Sequence, residues 1–162
     1  TNDAVSSALR LIDMGAASYL VASSLRAIIA QRLVRKICDK CIVDYTPDDQ
    51  EMFWVKGVAK KDVSSIQFKK GGGCQSCNYS GYKGRIGVFE LLEMNEAMML
   101  ALKRDDTEAF SEACYANKGY RPLAQAAFDY AEKGETSIEE VLKLVEMVAE
   151  DDVAKTTVEL EQ

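Results

Sequence analysis

Ile37-Cys38-Asp39-Lys40-Cys41-Ile42 and, further along, Gly71-Gly72-Gly73-Cys74-Gln75-Ser76-Cys77-Asn78 are the stretches on which the fold turns. Two residues between thiols let a tight turn present both sulfurs to one metal ion, and two such knuckles complete a tetrahedron. The chain has five cysteines and no histidine, so these four form an all-sulfur set and Cys114 is left over. In a chain expected to carry no export signal, paired Cys-x-x-Cys motifs point to metal in a reducing compartment rather than to disulfides. Structural zinc held by Cys38, Cys41, Cys74 and Cys77 is the leading reading. Iron in a rubredoxin-like electron-transfer site ranks second, and disulfides or redox thiols third. Rubredoxin-like knuckles favour Gly just after each pair, where this chain has Ile42 and Asn78. Four thiolates leave no open position, which makes the site structural rather than catalytic. Such a centre carries a formal charge of about −2, so cations and N–H groups should surround it. Lys36, Lys40, Lys69 and Lys70 lie beside the knuckles, and Gly71–Gly73 allow close backbone approach.

Working outward, the 162 residues suffice for one compact domain or two small ones sharing a core. Hydrophobic residues make up 48% and charged residues 28%, an ordinary globular balance. A net charge of −6 and a pI near 4.8 count against nucleic-acid binding, which draws on clustered Lys and Arg, and favour basic partners. No apolar run approaches the roughly 20 residues of a membrane span, so no direct membrane insertion is expected. The lack of histidine removes Ser-His-Asp and Cys-His nucleophile arrangements. Opening on Thr1 directly into helical sequence, the chain reads as a piece of something longer.

The apolar spacing of Val5, Ala8, Leu9 and Ile12 predicts a helix from about Ala4 to Met14, capped by Asp3 and ended by Gly15. A second segment starts near Ser18, with Val21, Leu25 and Ile28 on one helical face. Leu20, Ile29, Leu33 and Val34 make it apolar nearly all round, which predicts burial on several sides. After Arg26 it can equally become a strand leading to Cys38. From Cys38 to Gly84 only short apolar pieces occur, around Met52–Val55 and Val63–Phe68, and a metal is most useful to such a stretch. Arg85–Glu93 reads as a strand with apolar residues on both faces. Four helices come after it. Asn95 caps one running to about Lys103, and Asp105 with Glu108 suggests a capping box for the next, ending near Asn117–Gly119. Pro122 opens a third carrying Leu123, Ala126, Ala127 and Tyr130 before Gly134. Ser137 and Glu140 suggest a capping box for the fourth, with Ile138, Val141, Leu142 and Val145 as its stripe. The acidic end is expected to fray.

Chemistry-bearing motifs are scarce. No G-x-x-x-x-G-K-[ST] phosphate loop occurs, and Gly81-Tyr82-Lys83-Gly84-Arg85 reads as turns near the metal. Glu139 with Glu140, and Asp151 with Asp152, read as solvated faces or tail rather than an acid/base pair. Arg26, Arg32 and Arg35 are expected in surface salt bridges. Cys114 shares a helical face with Phe110 and Ala113, as a small buried hydrophobe would. No catalytic residue and no nucleotide-binding residue is assigned.

Three stretches together resemble the C-terminal part of the assembly ATPases of type II secretion and type IV pili. Leu25-Arg26-Ala27-Ile28-Ile29-Ala30-Gln31-Arg32-Leu33-Val34-Arg35-Lys36-Ile37-Cys38 is similar to the segment entering that family's four-cysteine metal subdomain. Gly81-Tyr82-Lys83-Gly84-Arg85-Ile86-Gly87-Val88-Phe89-Glu90-Leu91-Leu92 resembles the segment leaving it, and Thr136-Ser137-Ile138-Glu139-Glu140-Val141-Leu142 the closing helix. Thr1-Asn2-Asp3-Ala4 is similar to the residues just after the family's histidine box. The likeness runs from Thr1 to about Met147 and is nearest the pilus-extension ATPases, in the manner of mannose-sensitive haemagglutinin pili.

The resemblance implies a RecA-like hexameric motor, peripheral to the cytoplasmic side of a bacterial inner membrane, that drives assembly of pilin-like subunits through a membrane platform protein. Other subunits of the hexamer and that platform protein would be its partners. The family's phosphate loop, Walker B acid and histidine box do not occur here, so ATP and Mg2+ would belong only to the full-length parent, and this chain is expected to be inactive alone. The fold class implied is α+β and mainly helical. Residues 1–37 would end the RecA-like α/β core, 38–84 form an inserted four-cysteine zinc subdomain, 85–150 a strand plus helical subdomain, and 151–162 a disordered acidic tail. A stand-alone zinc-stabilised interaction module and a rubredoxin-like electron carrier are the rival readings.

Overall fold

The computed structural model describes residues 3–147; the expectations for Thr1 and Asn2 and for the acidic tail fall outside them. The elements are α1 (Ala4–Asp13), α2 (Ser18–Ser24), β1 (Ala27–Ile37), β2 (Ile42–Tyr45), α3 (Asp49–Ala59), β3 (Phe68–Gly71), a 3-10 turn (Gln75–Cys77), β4 (Tyr82–Glu93), α4 (Glu96–Lys103), α5 (Thr107–Ala116) and α6 (Leu123–Glu132). A last helix, α7, occupies 138–147. The fold is mixed α+β with helices predominating. β1 pairs with β4, and β2 with β3. Met94 N–H donates to the Arg26 carbonyl and Cys38 N–H to that of Gly81, so β1 and β4 run in opposite directions. The chain divides into two compact units, residues 1–31 with 89–122 and residues 32–88 with 123–162.

In the first unit, Asp3 caps α1 by accepting from Ser6 N–H at 2.7 Å, satisfying an otherwise orphaned donor. Gly15 takes the left-handed φ of 91° that stops the helix. Ala4, Val5 and Ala8 of α1 join Val21, Ala22, Leu92, Met98, Leu102, Phe110 and Cys114 in one core. Burial pushes the Cys114 thiol up to about 12, as for an inert apolar filler. Glu90 is 1% exposed and accepts from Ala4 N–H, placing a carboxylate against the positive end of α1. Reading this strand as apolar on both faces passes over that acid.

Two expectations about the second segment are corrected. α2 ends at Ser24 and an eleven-residue strand comes next, so Val21, Leu25 and Ile28 do not share a helical face. Nor is the segment buried all round. Val34 is buried, but Leu20 of α2 is 52% exposed, and Ile29 and Leu33 of β1 are 69% and 55% exposed, where the strand has only β4 beside it among the described residues. The α5 cap is also shifted: Asp106, not Asp105, accepts from Ala109 N–H, at 2.9 Å. Asp105 is consumed by the turn before it, at φ 55°.

In the second unit, residues 38–84 contain α3, which the sequence pattern does not reveal. Asp48 and Glu51 close a reciprocal capping box at its start. That stretch fully buries only three large apolar side chains, Val55, Val63 and Phe68. Fully burying such a side chain is worth about 1.5–3 kcal/mol, too little to order so long a stretch. It borrows the rest from α6, where Phe128 lies edge-on to Phe68 with ring centroids 6.1 Å apart.

The expected capping box at Ser137 and Glu140 is half formed. Ser137 Oγ accepts from Glu140 N–H at 3.4 Å, but the Glu140 carboxylate turns to β1 instead. There it accepts from Arg35 N–H at 2.8 Å and from the Arg35 guanidinium at 2.8 and 3.0 Å. Thr136 Oγ1 donates to the Arg35 carbonyl, and the guanidinium lies 3.9 Å above the Tyr82 ring. Lys143 braces Glu139 and Glu140 from α7. Burial opposes the Glu140 charge, but the Arg35 hydrogen bonds outweigh it and hold the carboxyl below its ordinary range. Its contribution is therefore complete above the unfolded-state value of about 4.3 and is lost as pH falls through the depressed folded value. Glu140→Gln should cost about 1–2 kcal/mol at neutral pH and flatten the loss of stability below about pH 4.3, measured by denaturant unfolding across pH.

Candidate metal centre

Strand pairing brings the two knuckles together before any metal is considered. Cys38 comes directly after β1, and Cys38 N–H donates to the Gly81 carbonyl at 2.9 Å. In the antiparallel β2–β3 pair Ile42 faces Gly71, and Gly72 N–H donates to the Cys41 carbonyl at 2.7 Å. Both β1–β4 and β2–β3 thus end at the cysteines. The approach is close because of glycine. A Cβ on Gly71 would sit 1.9 Å from the Gly81 carbonyl oxygen, and one on Gly73 2.9 Å from that of Tyr79.

The four sulfurs lie within 4.8 Å of one another. Cys38 and Cys74 Sγ are 3.9 Å apart, Cys41 and Cys77 3.8 Å, and Cys74 and Cys77 3.8 Å. A tetrahedron with metal–sulfur bonds of about 2.3 Å has edges of about 3.8 Å. All five cysteines are free thiols. The cluster could therefore hold a metal ion, and the four candidate ligands named from the sequence are the four brought together.

Backbone groups polarise the site. Cys74 N–H and Gly81 N–H donate to Cys77 Sγ at 3.2 and 3.3 Å. Burial alone would push the Cys77 thiol up, but these donors and the thiols of Cys74 and Cys41 bring it down to about 6. Cys41 goes the other way, to about 12, through burial and its sharing of protons with the other sulfurs. A divalent cation would replace those shared protons. Three of the four lysines beside the knuckles make other contacts: Lys69 pairs with Asp44, Lys70 lies 4.6 Å over the Tyr45 ring, and Lys36 pairs with Asp39 at 3.6 Å. No pattern of residue types in the sequence marks the Gly81 donor; it is fixed by the left-handed turn of Asn78, Tyr79 and Gly81. Asn78 at φ 50° adopts the conformation usually given to Gly, so its identity does not by itself separate this knuckle from a rubredoxin-type one.

The sequence over residues 1–143 matches the family model described as type II/IV secretion system protein. The chain belongs to that family. Among its curated relatives, the type IV pilus assembly ATPase PilB of Thermus thermophilus is 31% identical over 142 residues, covering 88% of this chain and 16% of the relative. TfpB of Acinetobacter baylyi, also a type IV pilus assembly ATPase, is 36% identical, covering 90% and 25%. The type II secretion system ATPase E of Vibrio cholerae is 33% identical, covering 89% and 28%. This type II/IV secretion family chain thus spans well under a third of the length of these relatives. Among its described residues no helix is long and apolar enough to cross a membrane.

Cys74→Ser should raise hydrogen exchange through residues 38–84 and, through Phe68 and Phe128, in α6, while α4 and α5 keep their protection. Unchanged exchange throughout would show that the sulfurs do not hold the second unit together.

Proposed function

We propose that this chain is the C-terminal region of a hexameric secretion or pilus assembly ATPase that powers assembly of pilin or pseudopilin subunits. The observation that carries this is the family match over most of the chain together with sulfur spacings that fit a tetrahedral ion. Cys38, Cys41, Cys74 and Cys77 would hold structural Zn2+, whose chemistry is to crosslink the two strand pairs through their ends. On this reading residues 1–37 end the RecA-like core, 38–84 are the zinc subdomain and 85–150 the strand and helical subdomain. The compact units cut across those limits because β1 and β4 contribute to both. The region would serve structure and contacts to neighbouring subunits and to an inner-membrane platform protein, on the cytoplasmic face. ATP and Mg2+ would be bound by the parent's other segments, since this sequence carries no phosphate loop.

Elemental analysis of the purified chain should give one zinc per molecule in a colourless solution; a red protein would establish iron and the electron-carrier reading. The chain alone should not hydrolyse ATP. A hexamer of the full-length parent should do so, and inactivity of that assembled hexamer would overturn the motor assignment.

A further inference from the structure

α3 carries an unusual surface. Phe53 is 74% exposed and Trp54 47%, their rings edge to face with centroids 6.2 Å apart. Large aromatic rings left in water side by side on a helix are enriched where another molecule docks. Trp54 also floors a groove of about 290 Å³ between α3 and α7, both in the second unit. Leu142 and Val145 complete its apolar floor, and Asp48, Glu51 and Glu146 supply its charged groups. Every charged residue lining it is acidic. Lys143, the lysine of α7, is engaged with Glu139 and Glu140.

We infer that this groove is a docking site for a basic amphipathic helix of another protein, one apolar side chain resting on Trp54 and Lys or Arg side chains meeting the acidic walls. Charge selects this occupant. A second copy of this chain brings a net charge of −6 to these carboxylates in a head-to-tail contact, and across a twofold contact it would set the same carboxylates against each other. Residues 148–162 carry Glu150, Asp151, Asp152, Glu159 and Glu161 against Lys155 alone, and would meet the same repulsion. A cationic helix gains from both features, since Lys or Arg over an indole face adds a cation–π attraction to the ion pairs. The inference does not depend on the ATPase assignment, because it rests only on the α3–α7 surface.

The chain has one tryptophan, so its emission reports on the groove directly. The probe is a labelled Leu/Lys amphipathic peptide of about 18 residues, five helical turns, beside a scrambled peptide of the same composition and a Leu/Glu peptide. Saturable binding of the amphipathic cationic peptide alone, with a shift in Trp54 emission, is expected. Gln50→Lys on α3 and Glu146→Lys on α7, both lining the groove, should each weaken binding by about tenfold or more, equivalent to about 1.4 kcal/mol. Glu112→Lys on α5 should change it less than about twofold. Equal losses in all three variants, equal binding of the scrambled peptide, or an unmoved Trp54 signal would reduce the effect to general attraction and overturn the proposal. So would concentration-dependent self-association abolished by Glu146→Lys, or a Trp54 shift on removing residues 148–162, since either names a different occupant.

Discussion

Four sulfur atoms held at the edge length of a metal-centred tetrahedron set the terms for everything around them. Like-charged thiolates cannot be brought to within 4 Å without a cation or shared protons between them. The protein therefore needs backbone rigid enough to hold them in place. It gets that rigidity from the ends of two strand pairs, from the near contact of Gly71 with Gly81, and from N–H groups aimed at Cys77. The stretch between the knuckles has too few buried apolar groups to hold itself together, and Phe68 gains cover from Phe128 of α6, against which α3 also packs. A metal ion bound by the four sulfurs would crosslink the same segment that packs on α6.

Away from the sulfurs, charge takes over the same task of joining distant parts of the sequence. Glu140 satisfies an N–H of β1 and the guanidinium of Arg35 together, so one carboxylate ties the closing helix to the strand that leads into the first knuckle. Tyr82 seals the arrangement, its ring under the guanidinium and its hydroxyl 2.7 Å from Ser137. In the first unit, Glu90 has a comparable part, a buried acid against the start of α1.

Legible in the sequence is whatever is decided locally. Asp3 and Asn95 cap helices because their side chains reach N–H groups three residues away, and Gly15 and Gly134 stop helices because their own backbone must turn left-handed. The cysteines are legible because knuckle spacing is a short-range pattern. Hidden are choices settled by partners far along the chain: Glu140 preferring Arg35 over its own helix cap, and Glu90 lying inside. α3 escapes notice because its strongest apolar residues, Phe53 and Trp54, face water and blur the helical stripe. Leu20, Ile29 and Leu33 mislead for the opposite reason, since apolar composition does not say what covers a surface.

The pairing of Arg35 with Glu140 spans 105 positions. During synthesis, the strand entering the first knuckle emerges from the ribosome long before the acid that completes it. At a pace of roughly 5–20 residues per second, some seconds separate the two. In that interval the thiols can meet a metal ion while the unit's last helix does not yet exist. The order of the sequence itself thus leaves time for any metal to be captured before the closing helix locks onto the strand.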